Sequence, residues 1–136
     1  MGRVSLHIPG RHNVLNALAC IAVARLAGVD FARIQGALAE FHGAKRRFQT
    51  KGKERGVWVV DDYAHHPTEI AATLTAAREM GVRRVVACFQ PHLYSRTRDF
   101  AVDFGQALAG ADLVMVTDVY PAREEPIPGI SGALVA

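Results

Sequence analysis

A strand–helix–strand–helix–strand pattern that starts at Val57 is the feature that most constrains the fold of this chain. Continuous apolar runs predict the strands, and helical spacing of apolar residues predicts the helices between them. In chain order these segments are "GVWVVDD", "PTEIAATLTAAREM", "RRVVACF", "RDFAVDFGQALAG" and "ADLVMVTDV". The alternation predicts an α/β fold with a mostly parallel sheet that helices cover on both faces.

Polar residues follow the carboxyl end of each predicted strand, in "DDYAHHP", "QPHLYSRT" and "DVYPAREEP". Right-handed crossovers between parallel strands would place the three strand ends along one edge of the sheet. Open α/β sheets bind ligands at that edge. The pattern therefore predicts a ligand site where these three segments converge.

The beginning of the chain has a different, helical character. After an extended stretch at residues 4–8, "HNVLNALACIAVARLAG" predicts a helix, and Asp30 predicts the N-cap of a second helix, "FARIQGALAEF". "RRFQTKG" and "GVWVVDD" then predict a hairpin or two neighbouring strands. We interpret residues 1–44 as the end of one domain and residues 45–136 as a second domain whose pattern stops as a further helix begins at "SGALVA".

Composition narrows the class of protein. Half of the 136 residues are hydrophobic, as in a globular chain, and the longest apolar run, residues 17–24, is too short to span a bilayer. The start does not resemble a signal peptide. Cys20 and Cys88 lie in apolar stretches without metal-ligand spacing, so we expect buried thiols in a reducing compartment. These features predict a cytoplasmic protein that does not contact a membrane.

The net charge of +3 is mild, but six basic residues fall within eleven positions: Lys45, Arg46, Arg47, Lys51, Lys53 and Arg55. A solvated basic hairpin accounts for most of them. Neither aromatic interleaving nor a nucleic-acid motif accompanies them, so we expect no nucleic-acid partner. Arg47, next to Phe48, is the candidate for contacting a phosphate-bearing small ligand.

The segment "DDYAHHP" crowds ionisable groups together. Adjacent strand residues point to opposite faces, so Asp61 and Asp62 should diverge, and Asp62 is the better candidate for ligand contact. His65 and His66 precede Pro67 and should diverge as well. We expect one residue of the group to cap the helix that begins at Pro67. Asp and His also suit zinc or manganese, but consecutive pairs chelate poorly, and we predict no metal site.

Two further groups have both a structural and a ligand-binding interpretation. His92, Arg96 and Arg98 follow the next strand, and an arginine fork suits a carboxylate or phosphate, although solvent exposure near a helix start also explains Arg98. Asn13 and Asn16 share a helix face. Asn13 fits an N-cap, whereas amides on this face could also bind a planar heterocycle.

Five motifs occur together in an order and spacing that closely resemble the bacterial cell-wall Mur ligases: "GRHNVLNALA", "RRF", "DDYAHHPTEI", "FQPHLYSRTRDF" and "DVYPAREEPIPG". The resemblance covers nearly the whole chain. It implies that residues 1–44 correspond to the end of a central ATP-binding domain. Residues 45–136 would then form most of a Rossmann-like C-terminal domain, truncated at its C-terminus.

The resemblance also implies a reaction, the joining of L-alanine to UDP-N-acetylmuramate in peptidoglycan precursor synthesis. ATP phosphorylates the lactyl carboxylate, and the amine of L-alanine attacks the acyl phosphate. The tetrahedral intermediate then collapses to the amide and phosphate. The task of the protein in such a reaction is positioning and charge neutralisation.

Motif matches imply roles for individual residues. His12, Asn13 and Asn16 match positions near the adenine. Arg47 matches an arginine that reaches the nucleotide phosphates, and Asp62 matches a residue on the ribose side.

The matches on the amino-acid side are Tyr63, His65 and Arg96, around the incoming alanine and the product carboxylate. His65 and Arg96 are therefore the candidate catalytic residues. Some relatives carry a second arginine where this chain has Leu93, which leaves Arg96 more of the carboxylate binding.

The chain contains no G-x-x-x-x-G-K-[ST] phosphate loop. ATP and Mg²⁺ would be bound mainly by parts of a ligase that are absent from this chain, and we expect these 136 residues alone to be inactive. The alternatives are a nucleotide- or amino-acid-binding module, a small metal-dependent phosphoesterase, and a structural remnant that dimerises through an open sheet edge.

Overall fold

The computed structural model describes residues 2–136 and has an α/β fold. Its helices and strands are, in chain order, α1 (Arg11–Leu26), α2 (Phe31–Glu40), β1 (Gln49–Glu54), β2 (Val57–Asp61), α3 (Pro67–Glu79), β3 (Val86–Phe89), α4 (Tyr94–Leu108) and β4 (Leu113–Val116), followed by a short 3-10 helix, Gly132–Leu134. Within residues 2–136 no helix combines the length and apolar character needed to cross a membrane.

The chain divides into two compact units, the first ending at Tyr63 and the second running from Ala64 to Ala136. The domain boundary between residues 44 and 45 stays a prediction, because a compact unit need not coincide with a domain of a family. The predicted helix at "SGALVA" is only the 3-10 turn Gly132–Leu134, and the extended stretch at residues 4–8 forms no strand.

The first unit contains α1, α2 and the β1–β2 hairpin. Helix α2 begins where the sequence predicts, because the Asp30 carboxylate accepts the Ala32 N–H at 2.9 Å. Strands β1 and β2 pair antiparallel, with a bulge between Thr50 and Gly52. The predicted hairpin is confirmed.

The second unit is built on a β3–α4–β4 crossover in which β3 and β4 pair in parallel, from Val86 with Leu113 to Phe89 with Val116. An isolated parallel bridge between His92 and Tyr120 continues this pairing beyond the strand ends. The loops that follow β3 and β4 therefore lie side by side.

The parallel sheet is smaller than the sequence pattern predicted. Among the described residues, β2 pairs with β1 and is absent from the sheet of β3 and β4, so the expectation of three parallel strands at one edge was wrong. The short turn after Glu54 lets β1 and β2 pair antiparallel as a local hairpin.

Helices cover one face of the β3–β4 sheet. Ala87, Phe89, Val114 and Val116 pack toward the core with residues of α3 and α4, whereas the alternating residues Val86, Cys88, Leu113 and Met115 are exposed. The expectation of helices on both faces was therefore wrong for this part of the chain. The prediction of buried thiols was also wrong, because Cys88 lies on the uncovered face and Cys20 is exposed on α1.

The core of the second unit joins both helices to the sheet and to the end of the chain. Its buried members are Ile70, Leu74, Val85, Phe89, Phe104, Leu108 and Val135. Phe104 has no exposed surface, and its ring centroid lies 5.1 Å from that of Phe89. Val135 anchors the C-terminal segment on this core.

Helix α4 begins at Tyr94 rather than near Arg98, where the sequence predicted its start. The fully buried Thr97 stabilises this early start, because its N–H and its Oγ both donate to the Leu93 carbonyl, at 3.1 and 2.7 Å. The helix is interrupted at Phe100, whose φ of −121° and ψ of 16° mark a kink. As a result, Arg96 lies in the first turn of a helix and not in a loop.

Candidate functional site

The residues predicted to lie near an adenine are in the first half of α1. The N-cap of this helix is Gly10, so Asn13 is not its cap. The Asn13 side chain instead donates to the Pro9 carbonyl at 2.7 Å and braces the turn before the helix. Asn16, on the same face, is exposed, and its side chain makes no hydrogen bond with any other described residue. His12 is half-buried.

Asp62 has a structural partner in the first unit. Its Oδ2 accepts the N–H of Phe48 at 2.7 Å. Phe48 is buried and has a φ of 47°, a left-handed conformation that is unfavourable for a residue with a bulky side chain. The neighbouring Asp61 faces a different group, with its Oδ2 3.7 Å from the Nε of Arg46. The two carboxylates thus diverge, as adjacent strand residues should.

Arg46 is a residue whose contacts the sequence reasoning missed. Its guanidinium carbon lies 4.8 Å from the centre of the Tyr63 ring, within cation–π range. Its carbonyl also accepts the N–H of Tyr63 at 2.8 Å. The predicted phosphate ligand Arg47 has an exposed side chain. The adjacent arginines in "RRF" could have predicted this difference, because the side chains of neighbouring residues usually point in different directions.

Both histidines before α3 make contacts at the start of that helix. His66 is the N-cap, and its Nδ1 accepts the N–H of Thr68 at 3.3 Å. The Oε2 of Glu69 accepts the His65 N–H at 2.9 Å and lies 3.5 Å from the Nδ1 of the same residue. The contact from Glu69, at the third helical position, thus reaches back to the residue before the N-cap and fixes the entry of the chain into α3. The expectation that one of these residues caps α3 is confirmed for His66.

Arg96 and His92 form the centre of a second group of polar residues, which we call the His92–Arg96 cluster: His65, His92, Arg96 and Tyr120. The Nη1 of Arg96 donates to the Nδ1 of His92 at 3.3 Å and approaches its carbonyl oxygen at 3.5 Å. The His92 ring stacks on that of Tyr120, with centroids 5.6 Å apart and an interplanar angle of 22°. The His65 ring centroid lies 6.3 Å from that of His92.

The electrostatics of this cluster favour a neutral His92. Burial lowers the pKa of His92, and the charges of Arg96 and His65 lower it further, against a smaller opposing effect of Glu124. Because a guanidinium can only donate, the Nδ1 of His92 accepts and its proton lies on Nε2. The cluster therefore combines a cationic guanidinium with an uncharged imidazole.

The guanidinium of Arg96 has no carboxylate within ion-pairing distance among residues 2–136. The nearby carboxylate of Glu124 is bonded to Ser95 instead. A planar guanidinium binds a carboxylate through two parallel hydrogen bonds. The arrangement is therefore chemically suited to a small ligand that carries a carboxylate.

No group of three or more His, Cys, Asp or Glu residues in the described part of the chain could hold a metal ion. His65 contacts Glu69, whereas His66 caps α3. The consecutive histidines thus do not converge on a common point.

Comparison with known proteins adds family relationships to this geometry. The family model described as "Mur ligase, glutamate ligase domain" matches residues 46–135. The UDP-N-acetylmuramate–L-alanine ligase of Arthrobacter sp. is 58% identical over 133 residues, which are 97% of this chain and 28% of that protein. The ligase of the same name from Cutibacterium acnes is 56% identical over 136 residues, 98% of this chain and 29% of that protein.

Solved structures are similar to the chain as well. The crystal structure of the UDP-N-acetylmuramate-alanine ligase from Thermotoga maritima matches with a TM-score of 0.76 and 41% identity, over 88% of this chain and 27% of that one. A murein peptide ligase from Psychrobacter arcticus matches with a TM-score of 0.63 and 33% identity, over 85% and 24%. The chain thus spans less than a third of the length of these relatives.

Proposed function

The chain belongs to the Mur ligase family, and from that premise we propose that it contributes the amino-acid side of an ATP-dependent ligase that joins L-alanine to UDP-N-acetylmuramate. The observation that carries the proposal is the guanidinium of Arg96, which lies beside a neutral His92 and has no carboxylate partner among the described residues. The choice of substrates is supported by the sequence identity to relatives named UDP-N-acetylmuramate–L-alanine ligase.

The chemistry consists of activation followed by attack. ATP transfers its γ-phosphoryl group to the carboxylate of UDP-N-acetylmuramate and leaves as ADP. The amine of L-alanine attacks the carbonyl carbon of the acyl phosphate, loses a proton and displaces inorganic phosphate, which leaves an amide. The second step needs the amine close to the carbonyl carbon, with its lone pair directed at one face of the carbonyl group.

In this proposal Arg96 binds the carboxylate of L-alanine, and His92 holds the guanidinium through its Nδ1. His65, which the motif match also places on the amino-acid side, contacts Glu69 through both its backbone N–H and its ring. Tyr63 would contact the amino acid or the product carboxylate and is stacked against Arg46. Binding of the carboxylate by fixed donors leaves the amine as the free end of the amino acid.

Apart from Tyr63, the site residues of the first unit would serve the nucleotide. His12, Asn13 and Asn16 would lie near the adenine, Arg47 near the phosphates and Asp62 near the ribose. The exposed amide of Asn16 supports this assignment. Asp62 accepts the N–H of Phe48, which fixes its carboxylate next to the start of the hairpin.

Magnesium accompanies ATP in such a ligase. The described residues contain no cluster that fits a metal ion, and in this proposal Mg²⁺ is held mainly by parts of the ligase outside this chain. Cytoplasmic location and a dimer through an open sheet edge also stay predictions. Sedimentation of the purified chain would test the dimer.

The proposal is tested in a chimeric ligase, in which this sequence replaces the matching segment of the Arthrobacter relative. We expect phosphate release that requires UDP-N-acetylmuramate, ATP and L-alanine together, whereas D-alanine should not substitute. The 136-residue chain by itself, which has no phosphate loop, should release none. A folded chimera that binds ATP but gives no release dependent on L-alanine would contradict the proposal.

A further inference from the structure

The first turn of α4 is capped by a residue from a distant loop. Its N-cap, Leu93, has a φ of 74° and makes no side-chain cap hydrogen bond. The first N–H groups of a helix have no partner within the helix and need one elsewhere. Glu124, in the loop after β4, provides it: one carboxylate oxygen accepts the Ser95 N–H at 2.9 Å, and the other accepts the Ser95 hydroxyl at 2.5 Å.

The loop that carries Glu124 is fixed at further points. The Leu93 N–H donates to the Tyr120 carbonyl at 2.9 Å, and the Tyr120 N–H donates to the Pro91 carbonyl at 2.8 Å. A turn follows, in which the Glu124 N–H donates to the Pro121 carbonyl at 2.9 Å. The segment after β4 is thus bonded to the segment after β3 on both sides of His92.

Arg96 follows Ser95 directly, so the direction of its side chain depends on the turn that Glu124 holds. Glu124 forms no ion pair with Arg96 among the described residues, and the charge of Arg96 acts on it only at longer range, while both of its oxygens accept hydrogen bonds from Ser95. These hydrogen bonds lower the pKa of Glu124, which keeps the carboxylate ionised and the bonds charge-assisted at neutral pH.

We propose that Glu124 is a positioning residue for amino-acid binding: it holds Ser95 and the first turn of α4 so that Arg96 and His92 present the guanidinium to the carboxylate of L-alanine. The inference rests on the proposed function. It adds a residue to the amino-acid side that acts without touching the substrate, through a hydrogen-bonded connection between the two loops after the parallel strands.

The test uses four variants of the chimeric ligase. Glu124→Ala removes both acceptors, and we expect the KM for L-alanine to rise about tenfold, because a hydrogen bond to a charged group is lost from the support of Arg96. Glu124→Gln keeps one oxygen for the Ser95 N–H and should restore part of the loss. Ser95→Ala should give a smaller increase than Glu124→Ala. Glu125→Ala is the control, since Glu125 is an exposed carboxylate next in the chain.

In all four variants the KM for ATP should stay within about twofold of the parent, because the nucleotide contacts lie elsewhere and a twofold change is less than a typical hydrogen bond contributes. An equal rise in both constants would overturn the inference and indicate a general loss of structure. If the parent chimera is active and Glu124→Ala leaves the KM for L-alanine unchanged, the inference about Glu124 is overturned, whereas the proposed function is not. An inactive parent would overturn the proposed function itself, and the inference with it.

Hydrogen exchange of the 136-residue chain supplies a readout that does not need activity. The Ser95 amide should exchange faster in Glu124→Ala than in the parent, and at the parent rate in Glu125→Ala. Unchanged exchange would contradict the cap. Faster exchange without a change in the KM for L-alanine would show a cap that only stabilises α4, and would also overturn the positioning role.

Discussion

The two compact units differ in how they use their apolar side chains. In the second unit the apolar residues of α3, α4, β3 and β4 form one core, with Phe104 fully buried. In the first unit, α1 leaves large apolar side chains exposed, with exposed fractions of 56% for Leu18, 67% for Val23 and 89% for Leu26. The second unit is therefore stabilised mainly by the burial of its own apolar side chains, and the first unit is stabilised much less by such burial.

The candidate sites show the same contrast. The predicted nucleotide residues Asn16 and Arg47 are exposed, and the side chain of Asn16 makes no hydrogen bond among the described residues, so Asn16 can be altered with little effect on its surroundings. His92 and Arg96 contact each other and belong to a network that includes Tyr120 and, through Ser95, Glu124. Substitutions in such a network affect their neighbours as well.

The largest expected effect, and the strongest test of the difference between the two units, comes from removing a core side chain. We expect Phe104→Ala to lower the free energy of unfolding by about 3–5 kcal/mol, because it leaves a cavity between β3 and α4. Leu18→Ala on α1 should change it by no more than about 0.5 kcal/mol. Urea denaturation followed by circular dichroism measures both. Similar losses in the two variants would show that α1 is as well buried in solution as α4.

The second prediction separates the two substrate sides. In the chimeric ligase, Arg96→Ala should raise the KM for L-alanine by about 10- to 100-fold, because hydrogen bonds between charged groups contribute roughly 1.5–3 kcal/mol. The control is Arg98→Ala, since Arg98 is exposed and bonded to its neighbour Asp99. Initial-rate kinetics with each substrate varied would measure this. If the KM for ATP rose instead, the assignment of Arg96 would be wrong.

The third prediction concerns the first unit. Asn16→Ala should raise the KM for ATP about fivefold and leave that for L-alanine unchanged, because a neutral hydrogen bond contributes roughly 1 kcal/mol. Val23→Ala, which removes an exposed group from the same helix, is the control. An unaltered KM for ATP would mean that Asn16 is a solvent-exposed helix residue that does not contact the nucleotide.

The smallest expected effect is a change in the acid dependence of stability. The Asp112 carboxylate accepts hydrogen bonds from Arg78, at 2.8 Å, and from the Val85 N–H, at 2.6 Å. These bonds, first of all that of Arg78, lower the pKa of Asp112 below its ordinary value of 3.8. The unfolded chain therefore takes up the proton first as the pH falls. The stabilisation is complete above the unfolded pKa and is lost as the pH drops through the folded one.

Asp112→Asn should consequently lose less stability than the parent between about pH 5 and pH 3, the range in which an unfolded aspartate becomes protonated. Thermal unfolding at several pH values measures the difference. Asp103→Asn, a change at an exposed carboxylate of α4, should follow the parent curve. Identical acid dependence in Asp112→Asn and the parent would mean that the pair with Arg78 adds nothing to stability in solution.

Much of the local structure could be predicted because local chemistry determines it. Asp30 caps α2, and Pro67 follows its N-cap, His66, at the start of α3. The antiparallel pairing of β1 and β2 follows from a short charged turn between two β-rich runs. The parallel pairing of β3 and β4 follows from a helix of crossover length between them. Each of these depends on residues that are close in the chain.

Other features could not be predicted because they depend on contacts between distant residues. An apolar run such as "RRVVACF" does not show whether one or both faces of its strand will be covered, so the exposure of Cys88 was missed. The early start of α4 depends on Thr97, which bonds to Leu93, and on Glu124, which bonds to Ser95. Neither contact leaves a periodic signal in the sequence.

The sequence by itself determined the α/β class, most of the helices and strands, and the ordered motifs that place the chain in its family. Only the tertiary structure decided which of the candidate polar groups already have partners. It pairs Asp62 with Phe48 and Glu124 with Ser95, and leaves Arg96 without a carboxylate among the described residues. The physical reason is that a hydrogen bond between distant residues depends on where the folded loops bring them, whereas periodicity and the caps of α2 and α3 depend on neighbours in the chain.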